Sequence, residues 1–211
     1  MLTLYDELYG NFEAEGVLLE LIQSDPVQRL KGIYQGGASR FVNEKWNTTR
    51  YDHSVGAMML VHRLGGSLEE QIAALLHDVS HTAFSHVIDY VLEQKEENYH
   101  EMIYEQIVTG SSIPSILTSA GLNWRDILLD ESQWTLLEQN APRLCADRVD
   151  YTLTAWIIRC GICTYAARLL YKKCMRFWIS LSDLMDKWRA VIYQRQSGLW
   201  MLTTKKSLAF L

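Results

Sequence analysis

Proline and cysteine are both scarce in this sequence, with three prolines and four cysteines among 211 residues. Few prolines leave long stretches free to run as helix, because a proline inside a helix removes a backbone hydrogen bond and crowds the preceding turn. The cysteines, Cys145, Cys160, Cys163 and Cys174, all lie late in the chain. Their number and placement exclude the disulfide framework of a small secreted domain and fit reduced thiols in a cytoplasmic protein. Cys160-Gly-Ile-Cys163 is a lone CxxC without a second pair, so neither a zinc site nor a redox centre is expected of it. No apolar run reaches the roughly 18 residues that a membrane span needs. The opening stretch, MLTLYDELYGNFEAEG, is acidic and lacks the basic-then-apolar plan of a signal peptide.

What is present is apolar and aromatic. Apolar residues make up 48% and aromatics 11%, enough for a sizeable core and against disorder. The length suits one domain, or one with a small appendage. A net charge of −5 argues against a general nucleic-acid or membrane binder. The charge is uneven, however. Residues 1–164 carry 11 Lys+Arg and 23 Asp+Glu, a net of −12; residues 165–211 carry 9 and 2, a net of +7. This is a change of surface character, with a basic arm for an anionic partner as the lesser alternative.

Periodicity and capping signals predict an all-α chain. Asp25-Pro26 starts a helix expected over 26–35 and stopped at Gly36-Gly37. Residues 38–49 read as an irregular loop and 51–64 as a helix. Ser67-Leu-Glu-Glu70 is a capping box for a third helix that runs into His77-Asp78. Further helices are expected over about 84–94, 97–109, 113–120, 131–139, 142–159 and 165–177. A small β-hairpin is expected at 190–194 and 199–203, around Gln196-Ser-Gly198.

The six histidines carry the chemistry. Between Leu76 and Asp89 the chain has His77, Asp78, His81, His86 and Asp89. Imidazoles and carboxylates are costly to bury unless they are paired or hold a metal. Two imidazoles with two carboxylates suit Mn, Fe, Zn or Ni, and tolerate Mg. Such a set leaves coordination positions open for a reacting group. His62 lies nine positions after His53, about 180° round a helix, so it points away from any site that His53 serves.

Three motifs resemble a known family. Arg50-Tyr-Asp-His53-Ser-Val-Gly56, His77-Asp78-Val-Ser-His81-Thr-Ala-Phe-Ser-His86 and Ala146-Asp147-Arg148-Val-Asp150-Tyr151 are similar to the motifs of the HD-domain metal-dependent phosphohydrolases. They look most like the branch with dGTPases and deoxynucleoside triphosphate triphosphohydrolases. The resemblance covers about Asp25 to Arg159, within an expected helical core of 1–165; residues 166–211 form an unmatched extension.

The resemblance implies a helical-bundle HD fold and a divalent metal held by His53, His77, Asp78 and Asp147. Asp147 and Asp150 share one helix face, so spacing alone leaves the last ligand place open between them; the family motif favours Asp147. His81, Asp89 and His100 match catalytic positions, with Asp89 as the acid that orients His81. Arg50, His86, Arg148, Tyr151 and Gln35 match residues near phosphate or sugar. The alternative for His81, His86, Asp89 and His100 is a buried polar network that only props the ligands. A nucleotide or other phosphorylated small molecule is the implied partner; no membrane or nucleic acid is implied, and a homo-oligomer stays open. Two departures stand out. The family continues past Asp-Tyr to an Arg-Asp pair, and here Thr152-Leu-Thr-Ala155 follows. From about Ala166 the likeness ends. The leading function is a phosphohydrolase resembling the triphosphohydrolases. A nucleotide monophosphatase or phosphodiesterase, and a metal- and nucleotide-binding module without turnover, are the alternatives.

Overall fold

A computed structural model describes residues 1–139 and 143–160. The described chain is mostly helical, as expected, but it opens with a hairpin that the all-helical reading did not contain. Strand β1 (Leu2–Asp6) pairs antiparallel with β2 (Gly10–Ala14), in a register running from Leu2 opposite Ala14 to Asp6 opposite Gly10. Its turn is built from local chemistry. Asp6 Oδ1 accepts the backbone N–H of Leu8 at 2.6 Å and of Tyr9 at 2.9 Å. Gly10 then takes φ 77°, which favours glycine. Phe12 and Ala14 are buried, and Leu2 and Leu4 pack on the same core.

Helices α1 (Gly16–Gln23) and α2 (Asp25–Arg29) follow, with Pro26 in the first turn of α2. The helix expected over 26–35 is shorter. It passes through one 3-10 turn at Leu30–Gly32 and ends at Ile33, which is extended. The Ile33 carbonyl accepts the Arg50 N–H at 2.7 Å, and Tyr34 bridges to Thr49. Pairing across the fold overrides the local helical signal here. A short 3-10 segment, Gly37–Phe41, leads into the loop expected over 38–49.

Helix α3 (Arg50–Arg63) begins with a full capping box formed by Thr49 and Asp52. Helix α4 (Leu68–Leu76) is capped by the Ser67 side chain, but the expected box there is half formed. The Glu70 carboxylate instead accepts the N–H groups of Leu136 and Leu137 at 2.7 and 3.2 Å. Next come α5 (Val87–Val91), α6 (Tyr99–Thr109), α7 (Ile113–Ser119) and α8 (Trp124–Leu128). Helix α8 was not foreseen, and the helix expected over 131–139 is a single 3-10 turn, Glu131–Gln133. The reason is visible in the backbone. Leu136 and Leu137 give their N–H groups to Glu70 and their carbonyls to Ala146 and Asp147 N–H, so they cannot also serve a helix.

Helix α9 (Ala146–Cys160) packs against α3, which also packs against α4. Met58, Met59 and Leu60 of α3 and Ile72, Leu75 and Leu76 of α4 are fully buried at that junction. Gly56 sets the approach of α9. A Cβ on it would sit 2.4 Å from Asp150 Oδ1. No helix among the described residues is long and apolar enough to cross a membrane. The expected helix at 165–177, the hairpin at 190–203, Cys163 and Cys174 lie outside the described residues.

Candidate functional site

Three elements bring His53, His77, Asp78 and Asp147 together. The first turn of α3 supplies His53, the C-terminal end of α4 delivers His77 and Asp78, and the first turn of α9 supplies Asp147. His53 Nε2 lies 2.8 Å from Asp147 Oδ1 and 3.9 Å from Asp78 Oδ2. His77 Nε2 lies 3.6 Å from Asp78 Oδ1 and 3.7 Å from Asp147 Oδ1. Those last two distances are too long for hydrogen bonds, and His77 Nε2 is a buried nitrogen without a partner. His77 Nδ1 is 2.7 Å from the Ala74 carbonyl, which makes it the N–H donor and leaves the Nε2 lone pair facing the two carboxylates.

Asp150 separates from Asp147 in the structure. Its Oδ2 lies 2.7 Å from His53 Nδ1, on the far side of the ring from Asp147, and its Oδ1 accepts the Tyr9 hydroxyl at 2.8 Å. His62 is exposed and meets Phe12 edge-on, away from the cluster.

Arg50 is buried and donates to both Asp78 oxygens at 2.8 Å and to the Ser85 hydroxyl. Ser85 has φ 55°, a left-handed conformation uncommon for a residue with a side chain. Beside it Gly37, at φ 55°, packs so closely that a Cβ would come 2.6 Å from the Phe84 carbonyl.

A second group of histidines sits next to the first. His81 and His100 stack with ring centroids 4.0 Å apart, and His86 meets both edge-on at 4.9 and 5.1 Å. His81 Nε2 lies 3.2 Å from Asp78 Oδ1, so Asp78 touches both groups. The Asp89 carboxylate lies 3.2 Å from His86 Nδ1 and also accepts the Tyr99 N–H at 2.9 Å. Asp89 therefore orients His86 here, where sequence comparison had paired it with His81. His100 Nδ1 is buried without a hydrogen-bond partner.

The electrostatics differ between the groups. Burial opposes a proton on His53, yet hydrogen bonds and charge from Asp147 and Asp150 raise its pKa to about 10. Burial likewise opposes a proton on His77, and the Asp78 and Asp147 charges overcome it. Asp78 and Asp147 are held well below the usual carboxylate range despite their burial, Asp78 by His77 and Arg50, Asp147 by His53 and His77. In contrast, burial pushes His81 down to about 4 and His100 to about 3.

The donor set fits a divalent cation. Asp78, Asp147 and Asp150 place three carboxylates around two imidazoles, with Arg50 as the cation paired to Asp78. The negative excess is answered by a proton on His53, a role that a metal would take over. His53, His77 and Asp147 offer ligand atoms within 4.8 Å of one another, as do His81, His86 and His100.

Other expected residues fall differently. Arg148 donates to Glu138 Oε1 at 2.6 Å and to the Arg143 carbonyl at 2.8 Å, so it is engaged beside the site. Tyr151 lies at the surface of α9 with 37% exposure. Gln35 is half-buried, and its backbone N–H pairs with the Thr48 carbonyl. Sequence reasoning missed the contacts of Tyr9 and Ser85. Tyr9 is 141 positions from its partner and carries no local signal. Ser85 lay inside a quoted motif, and its hydroxyl was the available clue.

Comparison with known proteins gives consistent results. A profile for the HD domain matches residues 50–154. Over 148 residues the chain is 63% identical to the uncharacterized protein YdhJ of Bacillus subtilis, covering 70% of this chain and 46% of that protein. Over 150 residues it is 45% identical to the metal-dependent phosphohydrolase cns2 of the organism Cordyceps militaris, covering 70% and 43%. Over 145 residues it is 30% identical to the human deoxynucleoside triphosphate triphosphohydrolase SAMHD1, covering 58% and 23%. The chain thus spans less than half the length of these relatives.

Proposed function

The chain belongs to the HD-domain family, and on that premise we propose that it acts as a metal-dependent phosphohydrolase on a nucleotide or a related phosphate ester, on the family's triphosphohydrolase-like side. The carrying observation is the buried, unpartnered His77 Nε2, turned to the Asp78 and Asp147 carboxylates at distances too long for hydrogen bonds. His53, His77, Asp78 and Asp147 would hold the ion. When bound, a divalent ion supplies Lewis acidity toward a phosphoryl oxygen and toward water.

The chain's own groups account for the remaining work. Arg50 holds Asp78 in place through both carboxylate oxygens, so its charge serves the ligand before it serves a phosphate. His81 and His100 are the groups for proton transfer at the leaving oxygen. Burial keeps each neutral near pH 7, so each would first have to take up a proton, which the charge of a bound phosphate favours, before giving it to the leaving oxygen. His86, held by Asp89 through Nδ1 and edge-on to both other rings, would contact phosphate. Tyr151 and Gln35 are proposed as contacts to the rest of the substrate. Arg148, already paired with Glu138, would reach a phosphate only by leaving that partner.

Deoxynucleoside triphosphates are the first substrate class to try, because the motifs and the human relative point there. Two observations favour a second class, nucleoside monophosphates or phosphodiesters. Thr154-Ala155 stands where an Arg-Asp pair is usual, and Arg148 is engaged elsewhere. The test is elemental analysis of the purified protein with a nucleotide screen that detects phosphate and triphosphate separately. Bound metal with triphosphate release supports the first class, and phosphate release from monophosphates the second. Nucleotide binding without turnover across several metals would replace catalysis with a binding role. A cytoplasmic location belongs to the same proposal.

A further inference from the structure

We infer that Tyr9, in the turn of the N-terminal hairpin and outside the stretch matched by the HD profile, is a positioning residue for the metal centre, acting on His53 through Asp150. This rests on the reading of His53 as a metal ligand. The path is continuous and short. The Tyr9 hydroxyl donates to Asp150 Oδ1 at 2.8 Å, Asp150 Oδ2 lies 2.7 Å from His53 Nδ1, and His53 Nε2 lies 2.8 Å from Asp147 Oδ1. All three linking residues are buried, with Tyr9 and Asp150 each 2% exposed and His53 1%.

The chemistry gives each step a direction. A carboxylate at Nδ1 accepts that nitrogen's hydrogen, which leaves the Nε2 lone pair for a cation. Asp150 can serve only if it stays put, and as a buried carboxylate it needs donors on both oxygens. His53 satisfies one oxygen and Tyr9 the other.

The surrounding structure is shaped for this contact. Gly56 leaves room for Asp150, since a Cβ there would lie 2.4 Å from Oδ1. Tyr9 is itself fixed at its backbone. Asp6 accepts its N–H, and Arg63 at the end of α3 donates to its carbonyl. The hairpin thus grips α3 at one end and reaches the first turn of α3 through Asp150. A tyrosine kept only for packing would need its ring and not its hydroxyl, so removal of the oxygen alone separates the two roles.

The experiment measures Zn²⁺ affinity of the full chain by competition with a chromogenic chelator, for the unaltered protein, Tyr9→Phe, Asp150→Asn and the double variant. Loss on the order of 10–100-fold is expected for Asp150→Asn, and of about threefold to tenfold for Tyr9→Phe. The double variant should lose no more than Asp150→Asn alone, because both act on one ring. If Asp150→Asn does not fold, nitrogen NMR of His53 in the zinc-loaded protein decides. Tyr9→Phe should then show a faster-exchanging Nδ1 hydrogen. Unchanged Zn²⁺ affinity in Tyr9→Phe, even with a lower Tm, overturns the inference, as do losses that multiply in the double variant. Failure of the unaltered chain to bind any divalent metal would overturn the metal-centre reading as well, so the two failures are distinguishable.

Discussion

The two histidine groups share a carboxylate, Asp78, yet their neighbours tune them in opposite directions. Around His53 both ring nitrogens face an acid and the pKa is raised to about 10, and the charges of Asp78 and Asp147 push His77 in the same direction. His81 has one carboxylate, Asp78, within reach and His100 is stacked on His81, and there burial outweighs the acid and keeps both rings unprotonated. Asp78 is the hinge of the contrast, with His77, His81 and Arg50 all on it. The lesson is that one residue type is tuned in opposite directions by the number of carboxylates within its reach.

Four experiments would break or sharpen that contrast. The largest effect is expected from His77→Ala or Asp78→Ala. Each should lose bound metal and phosphate-releasing activity together, read by elemental analysis beside a turnover assay. Metal and activity retained in either variant would remove the first group from the chemistry. Next, His81→Ala and His100→Ala should keep their metal while turnover falls by roughly 10²–10⁴-fold, as general acid–base catalysis supplies. Metal lost in equal measure would merge the two groups into one ligand set.

A smaller effect is expected from Arg148→Ala. Its pair with Glu138 is partly solvated, and such pairs contribute at most about 1 kcal/mol to stability. Turnover should change by no more than a few-fold, and a larger fall would return Arg148 to the substrate. The last test concerns pH and reads stability instead of turnover. The folded pKa values of about 4 for His81 and about 3 for His100 lie below the ordinary 6.5, so the folded protein binds fewer protons than the unfolded chain in between. Their contribution is intact above pH 6.5 and is lost as pH falls toward the folded values. The Tm of metal-loaded protein should therefore drop from pH 7 to pH 5, and His100→Gln should flatten part of the drop.

Much of the helical frame was legible because its signals are local. Thr49 and Ser67 start α3 and α4, and an apolar run ending in His77-Asp78 placed two acid–base groups at a helix end. The four candidate ligands meet because three such helix ends meet. What was not legible depends on distant partners. The lost helix at 131–139 follows from Glu70 reaching Leu136 and Leu137, whereas helix α8 carried a local signal in its Asn123 cap that sequence reasoning passed over. Asp147 and Asp150 look alike on a helical wheel, and only the position of His53 between them tells them apart. Arg50 was expected beside phosphate, and its pairing with Asp78 spans 28 positions that no local pattern encodes. The hairpin's strands are only five residues each, too short for their regular alternation of outward and inward positions to stand out in the sequence.

The spread of the ligands along the chain has a consequence in time. His53 and Asp147 stand 94 positions apart, and His77 and Asp78 fall between them. A chain emerging from the ribosome presents its two histidines and first aspartate well before the second aspartate exists. Any ion met during that interval finds an incomplete set and can leave again. Secure capture waits until the start of α9 has been made and has docked on α3. On the proposed reading α9, the last helix among the described residues, is thus also the latch on the ion, and a polypeptide halted short of Asp147 would hold it only loosely however well its earlier helices had formed.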